Sequence, residues 1–218
     1  LGNLVGAVLP AIKASERKDT TSFLFLADYH SLIKSSDSEL RHRSSFDIAA
    51  CWLACGLDPK KVIFYRQSDI PHIFELAWIL SCLASKGLLN RAHAYKAATT
   101  DNEANKTKDI DKGINMGLFN YPVLMAADIL MFKADAVPVG QDQKQHIEIT
   151  RDIASKFNHH YGDILTLPEA VIDEQTGILP GIDGRKMSKS YENTIPLFSE
   201  EGALRKVVMK IKTNSLEP

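Results

Sequence analysis

The chain has 218 residues and a formal net charge of −1, from 26 basic and 27 acidic side chains. That length fits one sizeable domain, or one domain and the start of another. With 44% hydrophobic and 24% charged residues it reads as an ordinary globular protein, the near-neutral charge excludes a general nucleic-acid coat, and no apolar run nears the roughly 20 residues of a membrane span.

The chain opens on Leu1-Gly2-Asn3 with no signal peptide in view; it is expected to be trimmed there, which leaves upstream targeting open. Residues 4–17 predict a helix, and Phe23-Leu24-Phe25-Leu26 a buried strand. Ser38 to Cys55 predicts an amphipathic helix that stops at Gly56 and Asp58-Pro59. Cys51, Cys55 and Cys82 make no disulfide framework or metal site; Cys51 and Cys55, four apart within this helix, are expected as buried small hydrophobes, and a reducing cytosol is the natural compartment. Val62-Ile63-Phe64-Tyr65 is the next strand, followed by a helix from about Pro71 to Lys86. Thr100 to Lys112, polar and without periodicity, predicts an exposed mobile loop. A helix over about Gly117–Phe132 leads to the strand Ala136-Val137-Pro138-Val139, and another helix covers about Asp142–His159. A short β-like stretch, a Gly- and Pro-bearing loop at 177–190 and a helix beyond Glu200 close the chain.

Strands separated by helices predict an α/β fold, a Rossmann-like parallel sheet with right-handed crossovers and flanking helices. Ligands of such sheets sit at the carboxyl ends of the strands. Neither G-x-x-x-x-G-K-[ST] nor G-x-G-x-x-G is present, so a bound nucleotide would be held by another device.

Three polar clusters fall at or near those strand ends. The most specific is Lys186-Met187-Ser188-Lys189-Ser190, a pentapeptide expected by chance about once in three million windows. Two lysines three apart can neutralise a triphosphate as pyrophosphate departs, and Gly181 and Gly184 permit a hinge; a basic surface turn is the plainer reading. In Val137-Pro138-Val139-Gly140-Gln141-Asp142-Gln143 an apolar strand ends on a glycine, which lets a ligand approach the backbone. Asp142 at the helix start suits ribose hydroxyls or simple N-capping, and Gln143 offers a donor and an acceptor. Tyr121, Met125, Asp128 and Phe132 recur at helical spacing on one face. They form either an apolar slot with one acceptor, suited to the single N–H of an indole, or ordinary core with Asp128 paired to a lysine elsewhere.

On these residues the chain resembles the class I aminoacyl-tRNA synthetases, and within them the tryptophan-type family. Lys186–Ser190 is the KMSKS signature of the class, while Tyr121–Leu130 and Val137–Ala154, including Gln143–Asp152, resemble the tryptophan enzymes. The tyrosine enzymes usually carry Gln where Met125 stands. Leu1–Ala7 is similar to the tail of the HIGH motif, whose first residue would precede Leu1. No glutamine stands in Arg91–Lys96, where bacterial members often place one against the indole.

The resemblance implies ATP-dependent ligation of L-tryptophan to tRNA(Trp) through tryptophanyl-adenylate, with ATP as substrate and Mg²⁺ carried by its phosphates, and no protein metal site. It implies Asp128 accepting the indole N–H, with Tyr121, Met125, Val137 and Val139 beside the substrate and Gln143 at its amino-acid end. Gly2, Asn3, Gly140, Gln141, Asp142, Ile178 and Lys186, Met187, Ser188, Lys189 and Ser190 would hold ATP, with Lys186 and Lys189 as the catalytic cations. His30 would line the pocket. Residues 1–190 would form the catalytic domain and 191–218 the start of a helical tRNA-binding region; a cytoplasmic homodimer is expected. The basic run Arg205–Lys212 suits phosphates or a solvated helix face equally. A tyrosine-specific relative, a non-catalytic synthetase-like binding module, and a nucleotidyltransferase of the same superfamily are the rivals.

Overall fold

A computed structural model describes residues 1–172, 179–188, 191–197 and 199–212. A wide π-type turn, Leu4–Val8, runs into α1 (Leu9–Ser15), which Pro10 enters in its first turn, where a missing N–H costs nothing. β1 (Ser22–Leu26), α2 (Ser38–Ala54) and β2 (Val62–Arg66) follow, then α3 (His72–Leu83), α4 (Lys86–Leu89), α5 (His93–Ala104) and α6 (Met116–Leu130). β3 (Ala136–Val139), α7 (Lys144–Tyr161), β4 (Glu169–Ile172) and α8 (Glu201–Val208) complete the order.

The chain is α/β, as the alternation predicts. β1 pairs with β2 across α2, and β3 with β4 across α7. The β3–β4 pair is parallel, with Val137 opposite Ala170 and Val139 opposite Ile172.

Two compact units divide the chain. One comprises residues 1–22, 51–62 and 174–218; the other comprises 23–50 and 63–173. The core of the second forms where α3, α6 and α7 meet: Ile73 and Leu80 from α3, Val123, Ala126, Ala127 and Leu130 from α6, and Ile149, Ile153 and Ala154 from α7. The paired alanines let helices approach closely, and α6 is buried over most of its second half. Asn115 caps α6 by accepting from the Leu118 amide at 2.8 Å. Within this packed bundle Pro122 is tolerated, although it withdraws one helical donor.

Two expectations fail in part. Residues 100–112 are mostly exposed as expected but are not all loop, because α5 runs to Ala104 and the turns beyond it are hydrogen-bonded. Asn102 Nδ2 donates to the carbonyls of Ile110 and Lys112 (2.8 and 2.9 Å), and Tyr95 Oη donates to Asp111 (2.7 Å). The polar surface of α5 hides a helix whose anchor is the single buried Tyr95. α2 has its predicted bounds, yet only Cys51 is buried on it, and Leu40, Phe46 and Leu53 are exposed. Its alternation of apolar and polar residues does not mark a buried stripe among the described residues.

Candidate active site

Asp128 is the centre of a buried polar cluster, its side chain only 1% exposed. Gln67, fully buried just after β2, donates through Nε2 to both carboxylate oxygens, at 2.8 and 3.0 Å. His30, from the turn after β1, places Nε2 2.9 Å from Oδ2. A carboxylate only accepts, so this nitrogen carries the proton and donates. Gln67 Oε1 accepts in turn from the amides of Tyr29 and His30 (3.2 and 3.3 Å), so one amide side chain fixes both partners of Asp128. Next to it Asp28 accepts from Ser68 Oγ at 2.5 Å, joining the carboxyl ends of β1 and β2. A carboxylate has roughly four lone-pair sites, which leaves Asp128 capacity for a further donor. The lysine partner considered from the sequence is thus replaced by His30 and Gln67. Burial, and then the negative charge of Asp128, push the Tyr65 phenol above its ordinary pKa.

Tyr121 and Met125 lie half-buried on α6, one turn apart. Tyr121 Oη is 2.8 Å from His146 Nε2, and its ring meets His30 and His146 edge-on, at 6.4 and 5.1 Å between centroids. Phe132, the fourth residue of the stripe, lies beyond the end of α6 and stacks on Phe23 at 4.7 Å, with Tyr65 5.4 Å away. It belongs to that aromatic cluster. His146 is 3% exposed, and its Nδ1 is buried without a partner among the described residues. Burial, with His93 adding to it, holds its pKa below the ordinary histidine value.

β3 shows Val137 and Val139 half-buried on one side, with Ala136 and Pro138 exposed on the other. Beyond it, Gly140 leads into a tight turn, Gln141–Gln143, from which α7 starts. A β-carbon on Gly140 would stand 2.7 Å from Asp142 Oδ1, so a larger residue here would turn that exposed carboxylate aside. Asp142 does not cap α7, which removes the plainer of its two readings. Its exposed carboxylate accepts from Gln143 Nε2 at 3.3 Å and raises the affinity of His146 for a proton. Gln145, in the first turn of α7, accepts from the His93 amide (2.9 Å) and donates to the Arg91 carbonyl (3.0 Å). The segment Arg91–Lys96, which has no glutamine, is therefore clamped by one from another helix.

In the other unit, a β-carbon on Gly2 would meet Met187 Sδ at 3.5 Å, so the start of the first helix and the signature loop are in contact. Asn3 is exposed and makes no side-chain cap. The loop is a short antiparallel turn with Pro180 bridged to Lys186 and the Met187 amide on the Leu179 carbonyl (2.9 Å). Gly184 takes φ +82°, which favours glycine, whereas Gly181 has an ordinary φ and abuts Asn193. Gly181 therefore serves close packing against Asn193. Ile178, Lys189 and Ser190 lie outside the described residues.

Sequence reasoning missed Gln67, Gln145 and His146. The polar run Gln67-Ser68-Asp69 directly after β2 satisfied the strand-end rule and could have found the first. Cavities of about 310 and 460 Å³ have other linings: one holds Phe46 and Arg66, the other Tyr95 and Phe119. Among the described residues no group of three or more His, Cys, Asp or Glu could hold a metal ion, and no helix is long and apolar enough to cross a membrane.

Comparison with known proteins places these features in context. The tryptophan--tRNA ligase of Neisseria meningitidis is 58% identical over the whole of this chain, which covers 65% of it, and that of Xanthomonas campestris is 63% identical, with 51% covered. The chain thus spans about half to two thirds of such relatives. The crystal structure of tryptophanyl-tRNA synthetase from Campylobacter jejuni, complexed with ADP and tryptophan, superposes with a TM-score of 0.87 at 46% identity, covering 99% of this chain and 64% of that one. The family model of class I tRNA synthetases (W and Y) matches residues 1–217, and the chain belongs to that family.

Proposed function

We propose that the protein ligates L-tryptophan to tRNA(Trp) at the expense of ATP. The observation that carries this reading is the buried Asp128, held by Gln67 and His30 on the helix face that also bears Tyr121 and Met125. A fixed acceptor in an apolar setting selects a flat side chain with a single N–H, and a ring without that donor leaves the carboxylate unpaired. The identity of 58–63% to tryptophan--tRNA ligases over the whole chain supports the same substrate.

In the first step the tryptophan carboxylate attacks the α-phosphorus of ATP and pyrophosphate leaves, giving tryptophanyl-adenylate. In the second a terminal ribose hydroxyl of tRNA attacks the activated carbonyl and AMP leaves. Asp128 accepts the indole N–H, with Tyr121, Met125, Val137 and Val139 along the ring and Gln143 at the amino-acid end. Gly2, Asn3 and Ile178 lie at ATP; Gly140, Gln141 and the exposed Asp142 take its ribose; Lys186 to Ser190 meet the phosphates, with Lys186 and Lys189 as the catalytic cations. Positioning and charge stabilisation do the chemistry, as in other phosphoryl transfers. Mg²⁺ would ride on the phosphates, where it would neutralise charge.

Residues 1–190 act as the catalytic domain and 191–218 begin a tRNA-binding region, where α8 carries Arg205 and Lys206 in its last turn. The protein works as a cytoplasmic homodimer; Trp78, 74% exposed, supplies apolar surface for a second copy. The test is amino-acid-dependent ATP–pyrophosphate exchange on the complete protein with each of the twenty amino acids. Exchange with tryptophan alone is expected. Exchange with tyrosine alone overturns the pocket, and no exchange by a folded protein that binds tryptophan overturns the activity.

A further inference from the structure

Asn193 is 1% exposed, and both polar atoms of its amide are engaged around the signature loop. Oδ1 accepts from the Ser188 amide at 2.8 Å. Nδ2 donates to the Lys186 carbonyl at 3.1 Å and to Asp183 Oδ1 at 2.7 Å. Its backbone carbonyl accepts from the Ile182 amide at 3.0 Å. Gly181 is bare because a β-carbon there would stand 2.4 Å from the Asn193 amide. The far side of Asp183 is gripped by Arg185, at 2.7 Å, and Arg185 lies 4.7 Å over the Tyr191 ring. Asn193, foremost, and Arg185 hold the Asp183 carboxyl down to a pKa of about 2, so it stays an acceptor through the neutral range.

One buried amide thus clasps the chain on both sides of Met187, the residue that rests on Gly2. It engages main-chain atoms of the signature residues. The Lys186 ammonium has no ion pair or hydrogen bond among the described residues. A loop that meets a polyanion needs this division: the lysine ammonium uncommitted, the backbone fixed beforehand, so that little ordering cost is met when the ligand arrives.

We propose that Asn193 is a positioning residue of the phosphate-facing loop, setting the backbone geometry from which Lys186 acts. The inference rests on the function proposed above. A residue of merely local stability would share the burial. A positioning residue also shifts the first chemical step without touching amino-acid affinity.

The experiment compares the complete wild-type protein with Asn193→Ala, Asn193→Asp and the swap Asp183→Asn/Asn193→Asp. Amide hydrogen exchange over 181–188, tryptophan affinity and tryptophan-dependent ATP–pyrophosphate exchange are read for each. Removing Asn193 leaves buried donors and acceptors unpaired, so loop amides in Asn193→Ala should exchange about tenfold faster or more. Its kcat/KM for ATP should fall about tenfold to a hundredfold, with tryptophan affinity within about twofold. Asn193→Asp, which sets two carboxylates against each other, should match it, and the swap should recover only part of the loss, since it restores an amide–carboxylate pair but leaves the Lys186 carbonyl without its donor. Unchanged loop exchange in both single variants would overturn the inference, as would fast loop exchange with wild-type pyrophosphate exchange. Should the wild-type protein show no tryptophan-dependent exchange of pyrophosphate, the proposed function fails by itself, while the amide exchange still decides whether Asn193 holds the loop.

Discussion

The two polar networks of this molecule are built in opposite ways. The Asp128 cluster draws its members from the ends of β1 and β2 and from α6, 61 and 98 residues apart along the chain. The Asn193 cluster is local, spanning residues 181–193, and its partners are mostly backbone atoms. A distributed network can only be assembled by the packed fold, so its geometry is as rigid as the core beneath it. A local network fixes a loop without needing that core. Damage to the first should therefore abolish recognition and weaken the fold together, whereas damage to the second should slow a step.

The largest expected effect follows from Asp128→Ala. It removes the acceptor and leaves the buried Gln67 amide and the partly exposed His30 N–H without their partner. Tryptophan-dependent pyrophosphate exchange should fall by about 10⁴-fold or more, with ATP still bound. Normal activation of tryptophan by this variant would overturn the pocket assignment.

Gln67→Leu should come next, because it keeps the volume but withdraws the group that orients both Asp128 and His30. With Asp128 left with His30 as its one donor and the His30 amide left without its acceptor, stability should drop by about 2 kcal/mol in a denaturant titration, and tryptophan KM should rise. Gln67→Glu should be worse than Gln67→Leu, since it places a second carboxylate within hydrogen-bond distance of Asp128. Equal stability of Gln67→Leu and wild type would show that the network is not structural.

What was legible in the sequence follows from the same contrast. KMSKS and Val139-Gly140-Gln141-Asp142 are contiguous, so their residue types could be read together, and Gly140 lies directly against the Asp142 carboxylate. The strands and most helices were legible because they carry runs of apolar residues. Asp128 was suspect because a carboxylate among Ala126, Ala127, Ile129 and Leu130 needs a partner. Its actual partners were not legible, because no local pattern links Gln67 or His30 to α6; only the adjacency of β1 and β2 does so. α5 was misread for the converse reason: its one buried aromatic gives too little period to detect.

A milder effect is expected at the strand end. Gly140→Ala puts a β-carbon 2.7 Å from Asp142 Oδ1, and that carboxylate must swing aside. KM for ATP should rise by about tenfold, tryptophan affinity should stay unchanged, and the fold should hold, since Asp142 is exposed and can rotate. An unchanged KM for ATP would remove Asp142 from the nucleotide site.

The smallest effect is one of pH and tests how His146 serves the slot. Tyr121, His93 and Asp142 are the groups that bear on it, and burial keeps its folded pKa below 6.5. The unfolded chain therefore binds this proton first as pH falls, so the stability contributed by neutral His146 is complete above pH 6.5 and is lost on acidification toward the folded pKa. A single site changes stability by at most about 1.4 kcal/mol per pH unit. Unfolding free energies should therefore decline gently below pH 6.5, before carboxylates titrate near pH 4. His146→Gln can still hydrogen-bond Tyr121 Oη but cannot titrate, and it should flatten that decline. A slope unchanged by His146→Gln would mean that the proton is taken up elsewhere, and that the Tyr121–His146 pair holds the hydroxyl without reporting on pH.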